Sequence, residues 1–409
     1  MTSAAIPTLA PRRELWLLLT LAGIQFTHIV DFMIMMPMGP QFRALFGISD
    51  AQFGLLVSAY TLAAGASGLL ASTFVDRFGR KRLLLVLYAL FALATLACGL
   101  APSYGFLMCA RIAAGLFGGV LAALSQAIVG DVIAFERRGR AMGIVMTSFS
   151  VATVAGVPLG LFLATAFTWH APFFAIAGVS ALFAAFAGLT LPVLRGHLHQ
   201  KRGSWFGDIR TVVSDSNHLK AFTLCGLLMF SGFTVFPYLT LYMRANVGLT
   251  EAQVPIVYLC GGAATLFTAR WIGRMTDRQG KVRVFRWLAG VAVLPMLAVT
   301  SLGPTPLGMV LVVTTLLFIC TSGRMIPGMA ILTSAAAPPL RGTFLTLNGA
   351  VQSAAMGSAA FVGGHLVSRD AQGLMSGFWL CAALGAVASL CAIWLSGRLH
   401  LHGATSAAR

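Results

Sequence analysis

An aspartate, a histidine and an arginine lie within stretches of this sequence that are otherwise apolar. His28 and Asp31 share one run, Thr27-His28-Ile-Val-Asp31-Phe-Met-Ile-Met-Met-Pro37, and Arg111 lies in another. Residues three positions apart lie on one face of a helix, so His28 and Asp31 face the same way. Burial and a nearby cation change the proton affinity of a carboxylate in opposite directions. A contact between Asp31 and Arg111 that forms and breaks would therefore bind and release a proton, with His28 adjusting it.

The composition indicates that these side chains lie in a membrane. Of the 409 residues, 58% are hydrophobic and 10% are charged, whereas a soluble protein usually has about 25% charged residues. The 28 Lys and Arg residues exceed the 11 Asp and Glu residues, but they lie in short segments between apolar stretches. That placement favours membrane topology over nucleic-acid binding as the source of the positive charge. The seven cysteines lie in apolar stretches without a Cys-x-x-Cys pair, so we expect no metal site.

Long apolar stretches predict an all-α integral membrane protein with twelve transmembrane helices, each of about 20 mostly apolar residues. The predicted spans are, approximately, residues 15–38, 52–75, 83–101, 104–131, 140–166, 171–193, 219–243, 253–275, 284–303, 306–334, 342–368 and 373–396. The polar segment 194–218 is predicted to be a cytoplasmic linker. It divides the chain into an N-terminal six-helix bundle, residues 1–193, and a C-terminal six-helix bundle, residues 219–409.

Arginine and lysine are distributed unevenly between the two ends of these spans. With the N-terminus inside, the outer loops contain Arg43, Arg244 and Arg369, and the other loop cations lie on the inner side. Because the inner loops of membrane proteins are enriched in Lys and Arg, both termini are predicted to be cytoplasmic. We expect a multi-pass protein of the bacterial cytoplasmic (inner) membrane.

Helix geometry indicates that Asp31 and Arg111 lie at one depth. Asp31 comes seven residues before the outer end of span 1 near Met38 (38 − 31), and Arg111 comes seven residues after the outer start of span 4 near Tyr104 (111 − 104). At a rise of about 1.5 Å per residue, both lie roughly 10 Å inside the outer end. An ionisable residue within a span is functional by default. The alternatives are a permanent ion pair that fixes helix packing and a hydrogen-bonded His28 that does not titrate.

Two charged loops repeat at half the chain length. Residues 76–81, Asp-Arg-Phe-Gly-Arg-Lys, and residues 277–281, Asp-Arg-Gln-Gly-Lys, are 201 positions apart (277 − 76). Residues 43–52 and 244–253 share this offset (244 − 43), and both carry the spacing of a capping box. The box residues are Ser49 with Gln52 and Thr250 with Gln253. These matches predict two pseudo-symmetric halves, related as parallel repeats about an axis along the membrane normal.

Over nearly its full length the chain resembles the major facilitator superfamily. Residues 76–81 are similar to the signature that lies between spans 2 and 3 of that family, although Ser72 replaces the usual glycine. Residues 277–281 are similar to its degenerate second copy. Arg111-Ile-Ala-Ala-Gly115 resembles the proton-coupling motif of the family's proton antiporters, and the first span resembles the drug and sugar efflux branch often labelled arabinose-efflux-like.

The resemblance implies that the repeated loops form an inner gate. Arg80 is placed to bridge Asp76 and Asp131, which end spans 2 and 4 on the same side. Topology alone is the alternative explanation of this charge. The predicted gate residues are Asp76, Arg77, Gly79, Arg80, Asp131, Asp277, Arg278 and Gly280.

Span 5 contains a further motif. Gly156-Val-Pro158-Leu-Gly160 is similar to the antiporter motif of the family, with Val157 where a glycine often precedes the proline. Proline removes a backbone hydrogen bond and glycine permits close approach of helices. We therefore expect a bent span 5 that packs tightly on a neighbour, with ordinary membrane-helix composition as the alternative.

A second set of residues is expected to line a substrate cavity. Arg324 lies deep in span 10, and no acidic residue of the second half lies deep enough to neutralise it, so it would attract anionic substrates. Gln352 lies at the same depth in span 11, and backbone carbonyls at a helix break near Pro327 are the alternative partners of Arg324. The predicted set is Gln25, Met35, Gln126, Tyr238, Tyr242, Arg324, Asn348 and Gln352.

These features predict a secondary active transporter that exports a small organic molecule, such as a drug, in exchange for protons by alternating access. The sequence has no Walker-type Gly-rich loop ending in Lys-Ser/Thr, so we expect no cofactor and take the proton gradient as the energy source. The expected partners are the substrate, protons and the lipid bilayer, without nucleic acid, and the chain is expected to be a monomer. The alternatives are uptake of a small metabolite, including an anionic one, by proton symport or facilitated diffusion and, remotely, an integral-membrane enzyme. The histidine pairs lie in the linker and tail, so we do not expect an enzyme.

Overall fold

In the computed structural model, the described residues group into two compact units. The structure describes residues 11–75, 78–133, 137–192, 205–337 and 340–402. Unit 1 comprises Met1–Ile34 and Ala66–Gly203, and unit 2 comprises Met35–Gly65 and Ser204–Arg409. The predicted division into two six-helix bundles, residues 1–193 and 219–409, is not tested by this grouping and stays a prediction.

The described residues are almost entirely helical. In chain order the helices are α1 (Pro11–Ile34), α2 (Gly39–Phe46), α3 (Asp50–Phe74), α4 (Arg80–Gly99), α5 (Tyr104–Val132), α6 (Arg138–Val151), α7 (Val157–Ala166), α8 (Ala171–Thr190), α9 (Trp205–Ser214), α10 (Ser216–Phe233), α11 (Phe236–Tyr242), α12 (Val254–Gln279), α13 (Lys281–Val291), α14 (Val293–Val299), α15 (Leu307–Gly323), α16 (Met325–Ala335), α17 (Arg341–Leu366) and α18 (Phe378–Ser396). Two π-helical turns, Ala152–Gly156 and Met243–Val247, follow α6 and α11. One antiparallel hairpin, β1 (Ser368–Arg369) and β2 (Met375–Ser376), separates α17 from α18.

Within the described residues, eleven helical stretches are long and apolar enough to cross a membrane. The predicted span at residues 342–368 forms α17, which is 26 residues long but is not one of the eleven. Polar residues such as Asn348 and Gln352 lower its mean hydropathy. The prediction of a multi-pass, all-α membrane protein is confirmed, and the count of twelve spans stays a prediction.

Four of the predicted spans are interrupted close to a proline. The missing backbone N–H and the bulk of the ring disturb the helical hydrogen bonds of the preceding turn. The break expected near Pro327 is confirmed, and it places Arg324 at the junction of α15 and α16. The other three interruptions lie near Pro158, Pro237 and Pro295.

The second part of the predicted linker is helical. The helix α9 lies inside residues 194–218, and α10 begins directly after Asp215. The Asp215 carboxylate caps α10 by accepting hydrogen bonds from two backbone N–H groups, that of Asn217 at 2.7 Å and that of His218 at 3.0 Å. The bonds from His218 and then Asn217 hold the pKa of Asp215 below its usual value, against a smaller opposing effect of burial. A short polar residue before an apolar run is typical of a helix start, and the role of residues 194–218 as a linker stays a prediction.

The repeated helix starts adopt the predicted caps. Ser49 and Gln52 exchange two hydrogen bonds, from Gln52 N to Ser49 Oγ at 3.1 Å and from Ser49 N to Gln52 Oε1 at 2.9 Å. In the second copy, Thr250 N donates to Gln253 Oε1 at 2.9 Å. The reciprocal bond is not among the hydrogen bonds of the described residues there, because α12 begins after Gln253 whereas α3 begins directly after Ser49.

Small residues bring the first part of α3 against α17 within unit 2. Ser58 Oγ donates to the carbonyl of Gly357 at 2.7 Å, and a Cβ at Gly65 would lie 2.8 Å from the Cβ of Ser353. Glycine and serine permit this close approach of two helices. The seam ends at the hairpin, where Arg369 Nε donates to the Oδ2 atom of Asp50 at 3.0 Å.

Candidate functional site

Asp31 of α1 and Arg111 of α5 form a buried ion pair in unit 1. Arg111 Nη1 donates to Asp31 Oδ2 at 2.8 Å and to the backbone carbonyl of Asp31 at 3.2 Å. Both side chains are 0% exposed. The contact that equal depth predicted is therefore present. A charged hydrogen bond in such surroundings is strong because little water screens it.

The second oxygen of the Asp31 carboxylate has no hydrogen-bond donor at normal geometry among the described residues. Thr95 lies near the carboxylate and Cys98 lies near Arg111. The Oδ1 atom of Asp31 is nevertheless buried and accepts no hydrogen bond from the part of the chain that the structure describes. Buried polar atoms are nearly always paired, so an exception requires an explanation. This atom is available to a proton or to a polar group of a ligand.

His28 lies beside this pair, one turn earlier on α1. Its ring packs against Phe91 of α4 with the ring centroids 5.9 Å apart, and it lies close enough to Arg111 to experience its charge. This position agrees with the predicted shared helix face. A role of His28 in proton transfer stays a prediction.

The glycines of span 5 hold α1 in place. A Cβ at Gly156 would collide with Val30 Cγ2, and a Cβ at Gly160 would lie 2.7 Å from Ile34 Cδ1. The π-helical turn Ala152–Gly156 comes directly before the segment that contains Pro158. The expectation of an irregular span 5 packed tightly on a neighbour agrees with these contacts. The neighbour is the helix that carries Asp31.

Arg324 is the centre of a second buried cluster, in unit 2. It is 1% exposed, and its guanidinium donates to Ser389 Oγ at 2.6 Å and to Ser231 Oγ at 3.0 Å. The two serine hydroxyls are themselves 2.8 Å apart. No carboxylate pairs with Arg324 among the described residues, and its Nε has no partner there. The charge is thus solvated by hydroxyl groups and is not neutralised.

The predicted partner of Arg324 at equal depth is not the observed one. Among the described residues, no hydrogen bond joins Arg324 to Gln352, and the backbone carbonyls near Pro327 do not accept from its side chain either. Equal depth fixes the position along the membrane normal but not the rotation of each helix about its axis. Ser231 and Ser389 on α10 and α18 face Arg324 instead.

The other predicted cavity residues fall in both units. Gln25 is buried and Gln126 is exposed in unit 1, whereas in unit 2 Met35 and Asn348 are buried and Gln352 is half-buried. Their common role in a substrate cavity stays a prediction.

The two predicted cavity tyrosines have structural partners in unit 2. The Tyr238 hydroxyl donates to the Ala360 carbonyl, and the Tyr242 hydroxyl donates to the Leu302 carbonyl at 2.9 Å. These bonds fix both side chains against backbone groups. Contact of either tyrosine with a substrate stays a prediction.

The first copy of the predicted gate contains an ion pair. Arg80 Nε donates to Asp131 Oδ2 at 2.9 Å, and the arginine side chain is 6% exposed. The predicted contact between Arg80 and Asp131 is therefore present. Asp76 and Arg77 lie outside the described residues, and Gly79 directly precedes α4.

The second copy of the predicted gate contains no ion pair between the two positions that correspond to Arg80 and Asp131. Asp277 and Arg278 are exposed at the end of α12, and Gly280, with φ of 91°, connects it to α13. Lys281 corresponds to Arg80 (281 − 80 = 201), and its Nζ donates to Ser334 Oγ at 2.6 Å. Ser334 corresponds to Asp131 at the neighbouring offset (334 − 131 = 203). A lysine–serine contact thus replaces the arginine–aspartate pair.

Comparison with known proteins assigns the family. Residues 21–323, and again residues 221–407, match the model of the Major Facilitator Superfamily. The uncharacterized MFS-type transporter YceJ of Bacillus subtilis is 25% identical over 366 residues, which is 89% of this chain and 92% of that protein. Multidrug resistance protein 2 of the same organism is 23% identical over 270 residues, 64% of this chain and 67% of that protein. The crystal structure of a D-xylose-proton symporter superposes with a TM-score of 0.76 at 15% identity, over 94% of this chain and 97% of that one. The chain belongs to the Major Facilitator Superfamily of membrane transporters.

Proposed function

We propose that this transporter exports a small organic molecule in exchange for protons by alternating access. The observation that carries the proposal is the buried Asp31–Arg111 pair with its unpaired carboxylate oxygen. Removing one partner from a buried ion pair costs about 3–5 kcal/mol, which is enough to link a protonation event to a change in helix packing. The similarity to a multidrug resistance protein supports export.

Coupling follows from competition at one carboxylate. A proton on Asp31 removes its negative charge and weakens its attraction for Arg111, so that α1 and α5 are held together less strongly. A substrate with a polar or cationic group binds best to the charged form of Asp31. Substrate and proton therefore exclude each other at this position, which is the condition for antiport.

The same proposal includes the location and the gate. We place the protein in the bacterial cytoplasmic membrane with both termini in the cytoplasm, where the basic loops would lie. The Arg80–Asp131 pair would then lie at the inner membrane face. The Asp131 side chain is 30% exposed, so water reaches one partner of the pair, which supports a contact that forms and breaks as the transporter changes state.

The test uses purified protein in proteoliposomes with an imposed pH gradient. With ethidium as the transported probe, we expect Asp31→Asn to lose substrate-driven proton flux. Asp208→Asn, which removes the same charge from the exposed face of α9, should retain it. Proton flux in Asp31→Asn equal to that of the unaltered protein would contradict the proposal.

A second candidate is uptake of a small anionic metabolite by proton symport or facilitated diffusion. Arg324 favours it, because a buried guanidinium bound to two serines retains its full positive charge. With carboxyfluorescein as the anionic probe, Arg324→Gln should reduce its transport far more than that of a neutral probe. Arg270→Gln, a matched change at an exposed arginine of α12, is the control. The direction of probe movement under a fixed gradient distinguishes this candidate from export.

A further inference from the structure

Three arginines of unit 2 line one open cavity of about 340 Å³. Arg43 belongs to α2, Arg244 to the π-helical turn after α11, and Arg369 to β1. These are the three cations predicted for the outer loops. The rest of the cavity wall consists of apolar residues, including Pro40 and Leu241. The lining of this arginine cavity includes neither residue of the Asp31–Arg111 pair, and it does not include Arg324.

Arg43 and Arg244 each donate a hydrogen bond to a backbone carbonyl in their own copy of the repeat. Arg43 Nε donates to the Ile48 carbonyl at 3.1 Å, and Arg244 Nη1 donates to the Leu249 carbonyl at 2.8 Å. The chain reverses between arginine and carbonyl at Gly47 and Gly248, whose positive φ angles of 62° and 83° favour glycine. The 201-residue repeat therefore places two guanidinium groups, each bonded to the carbonyl five residues later, at one cavity.

The carboxylates present do not balance the three positive charges. Asp50 is 5% exposed and is shared between Arg43 at 3.1 Å and Arg369 at 3.0 Å. Glu251 contacts Arg244 at 3.2 Å but is 56% exposed, and such a surface pair contributes only about 0–1 kcal/mol. Partial burial lowers the pKa of Arg43, the charge of Asp50 opposes this effect, and the charge of Arg369 makes a smaller lowering contribution. Positive charge therefore remains in the cavity.

The donors of the cavity match an oxyanion. A guanidinium presents a planar set of N–H groups that pairs with carboxylate or phosphate oxygens. Arg43 uses its Nε both for the hydrogen bond to Ile48 and for the ion pair with Asp50. Among the described residues, its terminal amino groups are therefore available to a ligand. An oxyanion that contacts Arg43 and Arg244 would connect α2 to the segment after α11.

We propose that this arginine cavity binds the oxyanion group of a ligand, a phosphate or a carboxylate, and that the bound ligand stabilises unit 2. Phosphate can come from a free anion or from a lipid headgroup. Both present the same oxygens to the three arginines. This proposal does not depend on the export function proposed above.

Thermal unfolding of the full-length protein in neutral detergent tests the site. Inorganic phosphate at constant ionic strength should raise the melting temperature more than chloride does. Arg244→Gln and Arg43→Gln should weaken phosphate binding by at least about tenfold, since each removes a charged hydrogen-bond donor. Arg210→Gln removes an exposed arginine of α9 and should bind as the unaltered protein does.

The variant Glu251→Gln distinguishes a direct effect on phosphate binding from a loss of binding caused by misfolding. This variant removes an exposed carboxylate that competes for Arg244, so phosphate should bind more tightly to it than to the unaltered protein. In a second arm, phosphatidylglycerol replaces phosphate. A shift with the lipid alone that Arg244→Gln abolishes would assign the site to a headgroup. Phosphate binding that is insensitive to both Arg43→Gln and Arg244→Gln, or no shift beyond chloride in either arm, would overturn the proposal.

Discussion

Asp31 has no acidic counterpart in the second half, and the structure shows what occupies its place. The equivalent position is Gly232 (31 + 201), where a Cβ would lie 3.8 Å from Arg324 Nη2. The preceding residue, Ser231, accepts a hydrogen bond from the same guanidinium. The second half therefore has a buried arginine beside the position that corresponds to Asp31, without a carboxylate there.

Gly232→Asp should convert the Arg324 cluster into an ion pair. The nearest atoms to the new Cβ are 3.6 Å away on Phe236, which is ordinary van der Waals contact, so the side chain has room to begin beside Arg324. With its charge neutralised, Arg324 should lose its attraction for carboxyfluorescein, and transport of that anion should fall by at least about tenfold. Gly232→Asn adds the same bulk without the charge and should retain anion transport. Equal losses in the two variants would mean that bulk, not charge, is responsible.

Depth along the helix axis predicted one of the two buried clusters and not the other. Asp31 and Arg111 are rare charged residues in long apolar stretches, so few partners were possible and their equal depth was sufficient. Arg324 had many polar candidates at similar depth. Ser231 and Ser389 could not be selected among the many serines of the spans, because helix rotation decides which hydroxyl faces the guanidinium. The unpaired Oδ1 of Asp31 likewise depends on three-dimensional packing.

At the scale of elements, the contact between span 5 and α1 positions Asp31. A Cβ at Gly156 collides with the stiff, branched side chain of Val30, one residue before Asp31, and lies 3.2 Å from Phe26. Gly156→Ala should shift α1, destabilise the protein by about 1–3 kcal/mol and reduce the number of protons moved per substrate. Thermal unfolding and proton flux in proteoliposomes measure the two effects.

The control for this substitution is Gly178→Ala on α8. A Cβ at Gly178 meets no atom within 4 Å, and alanine in a helix is more stable than glycine by about 0.5–1 kcal/mol. Gly178→Ala should therefore keep full coupling and melt no lower than the unaltered protein. Unchanged coupling in Gly156→Ala would show that the glycine does not position Asp31.

The cap of α10 gives a pH-dependent contribution to stability. Asp215→Ala should cost about 1 kcal/mol at neutral pH, because the N–H groups at the start of α10 lose their acceptor. The pKa of Asp215 is lowered in the folded state, so its contribution is complete above the ordinary aspartate pKa of about 3.9. It should disappear as the pH falls through the lower, folded value. Melting curves across this range measure the difference, with exposed Asp208→Ala as the control; a difference independent of pH would exclude the cap as its source.

Helix starts and breaks were largely predictable from local sequence. Capping spacing identified the start of α3 through Ser49 and Gln52, and Pro327 marked the break at Arg324, since both effects act within one turn. The helix α9 was not predicted, because the polar residues around it are typical of a linker. The grouping of residues 35–65 with unit 2 was also not predictable, since it depends on contacts between segments far apart in the sequence.

At the scale of the whole molecule, the repeat preserves contact positions while it changes their chemistry. Arg43 with Asp50 and Arg244 with Glu251 are ion pairs at the same spacing in both halves. The predicted gate positions differ, since Arg80–Asp131 is an ion pair and its counterpart joins Lys281 to Ser334. The 201-residue period located the repeated segments 43–52 and 244–253 and the repeated loops, because duplication keeps the order of residues. The sequence could not show that Ser334 accepts a hydrogen bond from Lys281, since no charge pattern marks that contact.

This difference predicts that the first copy contributes more to stability than the second. Asp131→Asn removes the charge that faces the nearly buried Arg80, and a hydrogen bond between charged groups contributes about 1.5–3 kcal/mol. Ser334→Ala removes a neutral acceptor from the exposed Lys281, where the loss should stay below about 1 kcal/mol. Melting temperatures of the two variants in the same detergent give the comparison. Ser334→Asp, which restores an acid opposite Lys281, should raise the melting temperature. If Asp131→Asn and Ser334→Ala lowered it equally, the two halves would be energetically equivalent at these positions, and the chemistry lost from the second copy would not matter to its stability.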